Sequence, residues 1–167
     1  MLPAVDRATV VRLRQEIVRD LAAVSALLDG LRARGAALGA TNDPVLEGYA
    51  AVTLHQVYTG LETCFERICR ALDGSVPGGA DGHQALLRDM ALELTEIRPA
   101  VLRPETEAGL VPLLRFRRFV RHSYAVSWDA RRLSQVLGDA LAVWPHVQSD
   151  VADFVDFLDA AAAELAR

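Results

Sequence analysis

The stretch Val10–Leu31, VVRLRQEIVRDLAAVSALLDGL, decides the fold class. Val10, Leu13, Ile17, Leu21, Val24, Leu28 and Leu31 step by threes and fours, which lines them along one stripe of a long helix. Working outward, Gly35, Gly39 and the cluster Asn42-Asp43-Pro44 end that helix. Asp43 before Pro44 is an N-cap followed by proline at the first helical position, so a second long helix starts there. Its stripe is Leu54, Val57, Leu61, Phe65, Ile68 and Leu72, and GSVPGGADG (74–82) is the loop that follows. A third, shorter helix carries Leu86, Leu87, Met90, Leu94 and Ile97, before a break bracketed by Arg98-Pro99 and Arg103-Pro104. The fourth begins near Pro104 and holds Leu110, Leu113, Leu114, Phe116, Phe119 and Val120. After Ser127-Trp128-Asp129, Leu133, Val136, Leu137 and Leu141 mark a fifth. Pro145 interrupts it or starts a sixth, with Val147, Val151, Phe154 and Leu158 as its stripe. No strand alternation and no repeat of 20–50 residues occurs. The expectation is one all-α domain over residues 1–167, an up-and-down bundle of five to six helices built on two long antiparallel ones.

Composition narrows the class. Hydrophobic residues make up 51% of the 167 and charged residues 24%, a globular balance. No run of 18 uncharged apolar residues exists, so no transmembrane helix is expected, and no secretory leader is visible. Cys64 and Cys69 are five apart on a helix, about 140° around its axis. Two buried thiols in a reducing cytoplasm are expected rather than a disulfide. No metal-ligand spacing, phosphate-binding glycine loop or G-x-S-x-G elbow is present, so no metal and no cofactor is expected.

The net charge of -4 conceals an uneven distribution. Residues 98–132 hold eight Arg against three acids, Glu105, Glu107 and Asp129, and are therefore +5. Residues 1–97 are -4 and residues 133–167 are -5. Every basic residue is Arg, and the densest run is RFRRFVRHSY, Arg115 to Tyr124. Arginine suits bidentate contact with phosphate and stacking on bases, and Phe116, Phe119, Tyr124 and Trp128 interleave with the run. The bland alternative is a solvated basic face pairing with Asp150, Asp153, Asp156 and Asp159 of the C-terminal helix. Elsewhere, Glu66 and Arg70 four residues apart read as an ordinary helix ion pair, which also disfavours Glu62 and Glu66 as catalytic carboxylates. His55, three residues before Tyr58, reads as a satisfied interior histidine, and Trp128 and Trp144 as core residues.

Arg117 to Tyr124, RRFVRHSY, reads as R-x4-H-x-Y and resembles the signature of HEPN-domain ribonucleases of the HepT-like toxin group. The second helix, with Tyr58-Thr59-Gly60-Leu61-Glu62 and Arg67 to Gly74, is similar to the corresponding helix of that group, as are the His83–Met90 segment and the RPAVL–PET turn. The resemblance implies a metal-independent RNA endonuclease acting as a homodimer, with two motifs in one cleft. It implies that His122 is the general acid/base and that Arg117 binds the scissile phosphate. Arg115, Arg118 and Arg121 are the accompanying RNA-binding candidates. The ribose 2′-hydroxyl such chemistry needs makes RNA the substrate. Arg117 and His122 are five apart, about 140° on a straight helix, so either the helix is distorted or motifs from two chains combine. The long stripes, with more surface than the short helices cover, also favour a dimer.

Arg118 departs from the family pattern, which often has Asn, Asp or His there; a cation so close is expected to depress the pKa of His122. The resemblance further implies a partner, a minimal nucleotidyltransferase antitoxin that silences the ribonuclease by AMPylation of Tyr124. The competing reading is a non-catalytic HEPN module that binds or regulates such an enzyme.

Overall fold

The computed structural model describes residues 5–122 and 127–167, with backbone alone for His122. Its helices are α1 (Arg7–Arg32), α2 (Gly35–Ala40), α3 (Pro44–Ile68), α4 (Gly82–Met90), α5 (Pro104–His122) and α6 (Ala130–Glu164). A π-helical turn, Cys69–Asp73, extends α3 and ends at Gly74, whose φ of 78° is left-handed. Among the described residues there are six α-helices and no strand, as the apolar periodicity predicts.

Three helix starts are written in side chains. Asp6 accepts the Thr9 backbone N–H, Asp43 accepts those of Val45 and Leu46, and Asp129 accepts those of Arg131 and Arg132. Each bond satisfies an amide that the helix itself leaves open. The four long helices form a ring: α1 packs on α3 and α6, and α5 packs on the other side of α3 and α6. Pairings such as Arg67–Glu16, Arg14–Asp159 and Arg103–Asp150 show that ring neighbours run antiparallel, giving up-down-up-down order. Two glycines permit close approach. A Cβ on Gly60 would stand 2.6 Å from Val24, and one on Gly109 would stand 2.6 Å from Val143. Tyr58, Phe65, Phe154, Ile17 and Leu28 fill the centre.

Besides α2, which forms over Gly35 and Gly39 where the sequence reads a helix end, two boundaries differ from the sequence-based expectation. The third helix does not reach Ile97; α4 stops at Met90, and the Met90 carbonyl accepts the N–H groups of Val101 and Leu102. Glu96 there has a φ of 67°, which no helix contains. The chain folds back because the Arg98 guanidinium is fully buried against Asp73, at 2.7 and 2.8 Å. That ion pair outweighs the continuing apolar pattern at Leu94 and Ile97. The second difference is Pro145, which neither interrupts nor starts a helix, since α6 runs through it unbroken. An interior proline costs about 3 kcal/mol. The neighbours Val143, Trp144, Val147 and Val151 are all buried, each worth about 1.5–3 kcal/mol, while Pro145 itself faces solvent. Burial wins, and the stripe spans the proline.

Candidate functional site

Residues 115–122 of the basic run form the last two turns of α5. Because α5 packs on α3 and α6, its successive side chains alternate between core and water. Phe116 is buried and so is Arg117, at 7% exposure, whereas Arg115, Arg118 and Arg121 are exposed. Among the described residues, no ion pair links the acidic face of α6 to these exposed arginines. Asp150 and Asp153 pair with Arg103, and Asp159 pairs with Arg14. Arg118 approaches Asp81 at 3.8 Å, both solvent-exposed, a contact worth little. The helix end is braced by aromatic packing. Trp128 lies 6.2 Å from Phe116 and 6.3 Å from Phe119 between ring centroids, and the Arg132 guanidinium sits 4.3 Å over the Phe119 ring.

Arg117 points inward, to Glu62 of α3: Nη2 to Oε2 is 2.7 Å. Glu62 is 5% exposed, so this is a desolvated pair in which each charge needs the other. The second Glu62 oxygen, Oε1, lies 2.5 Å from Nδ1 of His83 on α4. That contact is close in distance but not a well-directed hydrogen bond, and Oε1 has no other partner. The Nε of Arg117 is likewise buried without a hydrogen-bond partner. A guanidinium held by one nitrogen, with a second donor unsatisfied, retains capacity for an anion.

The same face of α3 continues through Tyr58 and His55, four and seven residues before Glu62. Burial raises the Tyr58 pKa well above that of a free phenol; the Glu62 charge adds to this, and Arg117 opposes it. His55 is half-buried, and its pKa is held below the ordinary histidine range. Burial is the main cause, with Arg117 and Arg121 adding and Glu62 opposing. His55 is therefore neutral at pH 7, an imidazole beside the basic end of α5.

The structure thus brings together Arg117, Glu62, His83, Tyr58 and His55, and leaves Arg115, Arg118 and Arg121 on the adjoining surface. The backbone of His122 closes α5, while its side chain and Tyr124 lie outside the described residues. α5 is helical through His122, so Arg117 and His122 are separated by about 140° around one axis. Sequence reasoning sets Glu62 aside and does not reach His83. The available signal is a carboxylate in register with Tyr58, Leu61 and Phe65 on an apolar stripe, where an acid must find a buried partner. Glu66, by contrast, pairs with Arg70 at 2.7 Å, as its spacing predicts. Cys64 and Cys69 are both buried free thiols, and Trp144 is a core residue. Among the described residues no cluster of His, Cys, Asp or Glu is arranged to hold a metal ion, and no helix is long and apolar enough to cross a membrane.

A helical bundle with an arginine-rich helix end, built on R-x4-H and anchored by a buried carboxylate, defines the class. The comparison with protein families matches residues 50–158 to the family described as HepT-like protein. That span is more than half of the chain and includes α4, α5 and most of α3 and α6, and the chain belongs to the HepT-like family. No curated protein and no solved structure matches it.

Proposed function

We propose that this chain is the RNA endonuclease toxin of a toxin–antitoxin pair, a cytoplasmic homodimer in which residues 1–167 form one domain. The observation that carries the reading is the layout of α5. Three exposed arginines, Arg115, Arg118 and Arg121, surround a fourth, Arg117, that a buried carboxylate holds in place, and His122 follows on the same helix.

The chemistry follows from these groups. His122 removes the proton of a ribose 2′-hydroxyl, and the 2′-oxygen attacks the adjacent phosphorus. The bond to the 5′-oxygen breaks, that oxygen takes up a proton, and a 2′,3′-cyclic phosphate and a 5′-hydroxyl result. An imidazole with an ordinary pKa near 6.5 suits both proton transfers. Arg117 stabilises the charge that develops on the phosphoryl oxygens. The exposed arginines bind flanking phosphates. A dimer places one chain's His122 opposite the other's Arg117, which reconciles their angular separation on one helix. The reaction as written needs no metal and no cofactor.

Control falls to a minimal nucleotidyltransferase partner. An adenylate on Tyr124 would add negative charge to the basic run and oppose phosphate binding. The test is incubation of the purified chain with RNA and with the same oligomer 2′-O-methylated. Cleavage of only the unmodified RNA, lost in His122→Ala, supports the reading; intact RNA under all conditions removes it. Mass spectrometry of Tyr124 with and without the co-expressed partner tests the modification.

One observation favours the second reading, a non-catalytic module that regulates a nucleotidyltransferase. Arg117 is 7% exposed and already paired, so its reach toward a substrate phosphate is limited. Growth arrest that persists unchanged in His122→Ala would select it.

A further inference from the structure

We propose that His83 is a positioning residue for Arg117, acting through the Glu62 carboxylate that the two share. The consequence for RNA rests on the ribonuclease reading; the coupling itself does not.

Glu62 comes from α3 and its two oxygens face different helices. Oε2 meets Arg117 of α5 at 2.7 Å, and Oε1 meets His83 Nδ1 of α4 at 2.5 Å. Among the described residues these are its only ion-pair partners. Glu62 and Arg117 are 6% and 9% exposed at the side chain, while His83 is 33% exposed. The outer member of the cluster therefore reaches water, and the inner two are shielded from it. Oε1 has no hydrogen-bond partner, and the His83 ring at 2.5 Å is the group that faces this desolvated oxygen.

The protonation state of His83 then sets the charge of the cluster. With a neutral ring, Arg117 and Glu62 cancel. With an imidazolium, the cluster carries +1, and Glu62 divides its attraction between two cations. Arg117, whose Nε already lacks a partner, is then less neutralised and attracts an anion more strongly. His83 and Arg117 both meet Glu62; on α3, His55 is influenced by the charges of Arg117, Glu62 and Arg121, and Tyr58 by those of Glu62, Arg117 and Glu107, while Asp81 precedes α4. Asp81 also approaches Arg118 at 3.8 Å, so the start of α4 reaches two consecutive residues of the basic run.

The deciding experiment uses the full chain without RNA. The ring of His83 and the Arg117 Nε–H are followed by NMR across pH 5–8. The Arg117 signal is expected to move with the midpoint of the His83 titration in the wild type and to lose that response in Glu62→Gln. An Arg117 signal that stays constant through the His83 titration overturns the proposal. A second arm measures binding of a 2′-O-methyl oligonucleotide. Affinity is expected to rise about three- to tenfold as His83 protonates, beyond the change shown by His83→Gln, which keeps a hydrogen-bond donor but does not titrate. A pH profile identical in His83→Gln and wild type overturns it as well. Should no RNA bind at any pH, the ribonuclease reading falls while the NMR coupling still decides this one.

Discussion

Arg98 and Arg117 are both buried, and both meet a carboxylate presented from the α3 segment, yet their guanidinium groups are used differently. Arg98 is saturated. Its Nε and Nη2 fork onto Asp73 at 2.7 and 2.8 Å, and its remaining donors reach the carbonyls of Leu92, Pro99 and Asp89. Arg117 has one pairing, with Glu62, and a buried Nε that donates to nothing. A saturated guanidinium closes a structure, here the turn between α4 and α5. An unsaturated one keeps part of its bonding capacity for something else. The contrast also sets their surroundings. Beside Arg98, burial and the Asp73 charge push the Cys69 thiol up to about 12, so it stays protonated next to the ion pair. Arg117 lies next to exposed Arg118 and half-buried His55.

Substitution at the two positions should separate these roles. Arg117→Ala is expected to have the largest effect, a loss of RNA cleavage of about 100-fold or more, as for removal of one transition-state donor. Its stability cost should be about 3 kcal/mol, the low end for breaking a buried ion pair, because His83 still faces the Glu62 left behind. Arg98→Ala should do the reverse. It leaves Asp73 and three carbonyls without their donor, a loss of about 3–5 kcal/mol in chemical denaturation, with cleavage per folded molecule little changed. Equal stability losses at both sites would erase the distinction.

Replacing Arg115, Arg118 and Arg121 together should leave stability nearly unchanged. It should lower the slope of log affinity against log salt by about 0.7 for each single-strand phosphate that these side chains neutralise. An unchanged slope would mean that the exposed arginines do not touch RNA.

The smallest expected effect is the pH response at His55. Its pKa is lowered in the folded chain, so the folded state binds fewer protons there than the unfolded state does. The stability this represents is fully present above about pH 6.5 and is lost as pH falls through the lower folded value. Denaturation midpoints at pH 7.5 and pH 5 should differ less in His55→Gln than in the wild type.

Much of the bundle is legible in the sequence because its causes are local. Stripes such as Val10 to Leu31 need only the helical repeat, and the Asp43-Pro44 start needs only an acceptor before a residue lacking an N–H. The end of α4 is not local. It depends on Asp73, twenty-five residues from the arginine that seizes it. Pro145 misleads for a similar reason: a breaker judged by itself is outweighed by four buried neighbours packed against other helices. The site divides along the same line. R-x4-H can be read from Arg117 and His122, and Arg115, Arg118 and Arg121 are exposed. Glu62 reads, by its spacing to Glu66, as part of a surface pattern, although its place on the Tyr58–Phe65 stripe requires a buried partner.

The sequence by itself determined an all-α bundle, the starts of α3 and α5 and the basic run toward the end of α5, since each depends on periodicity, capping or composition along one segment. Only the tertiary structure decided that Arg117 turns inward while its arginine neighbours face water, and that Glu62 and His83 meet there. Those contacts join α3, α4 and α5, and a buried charge takes whatever partner packing brings within reach, regardless of its distance along the chain.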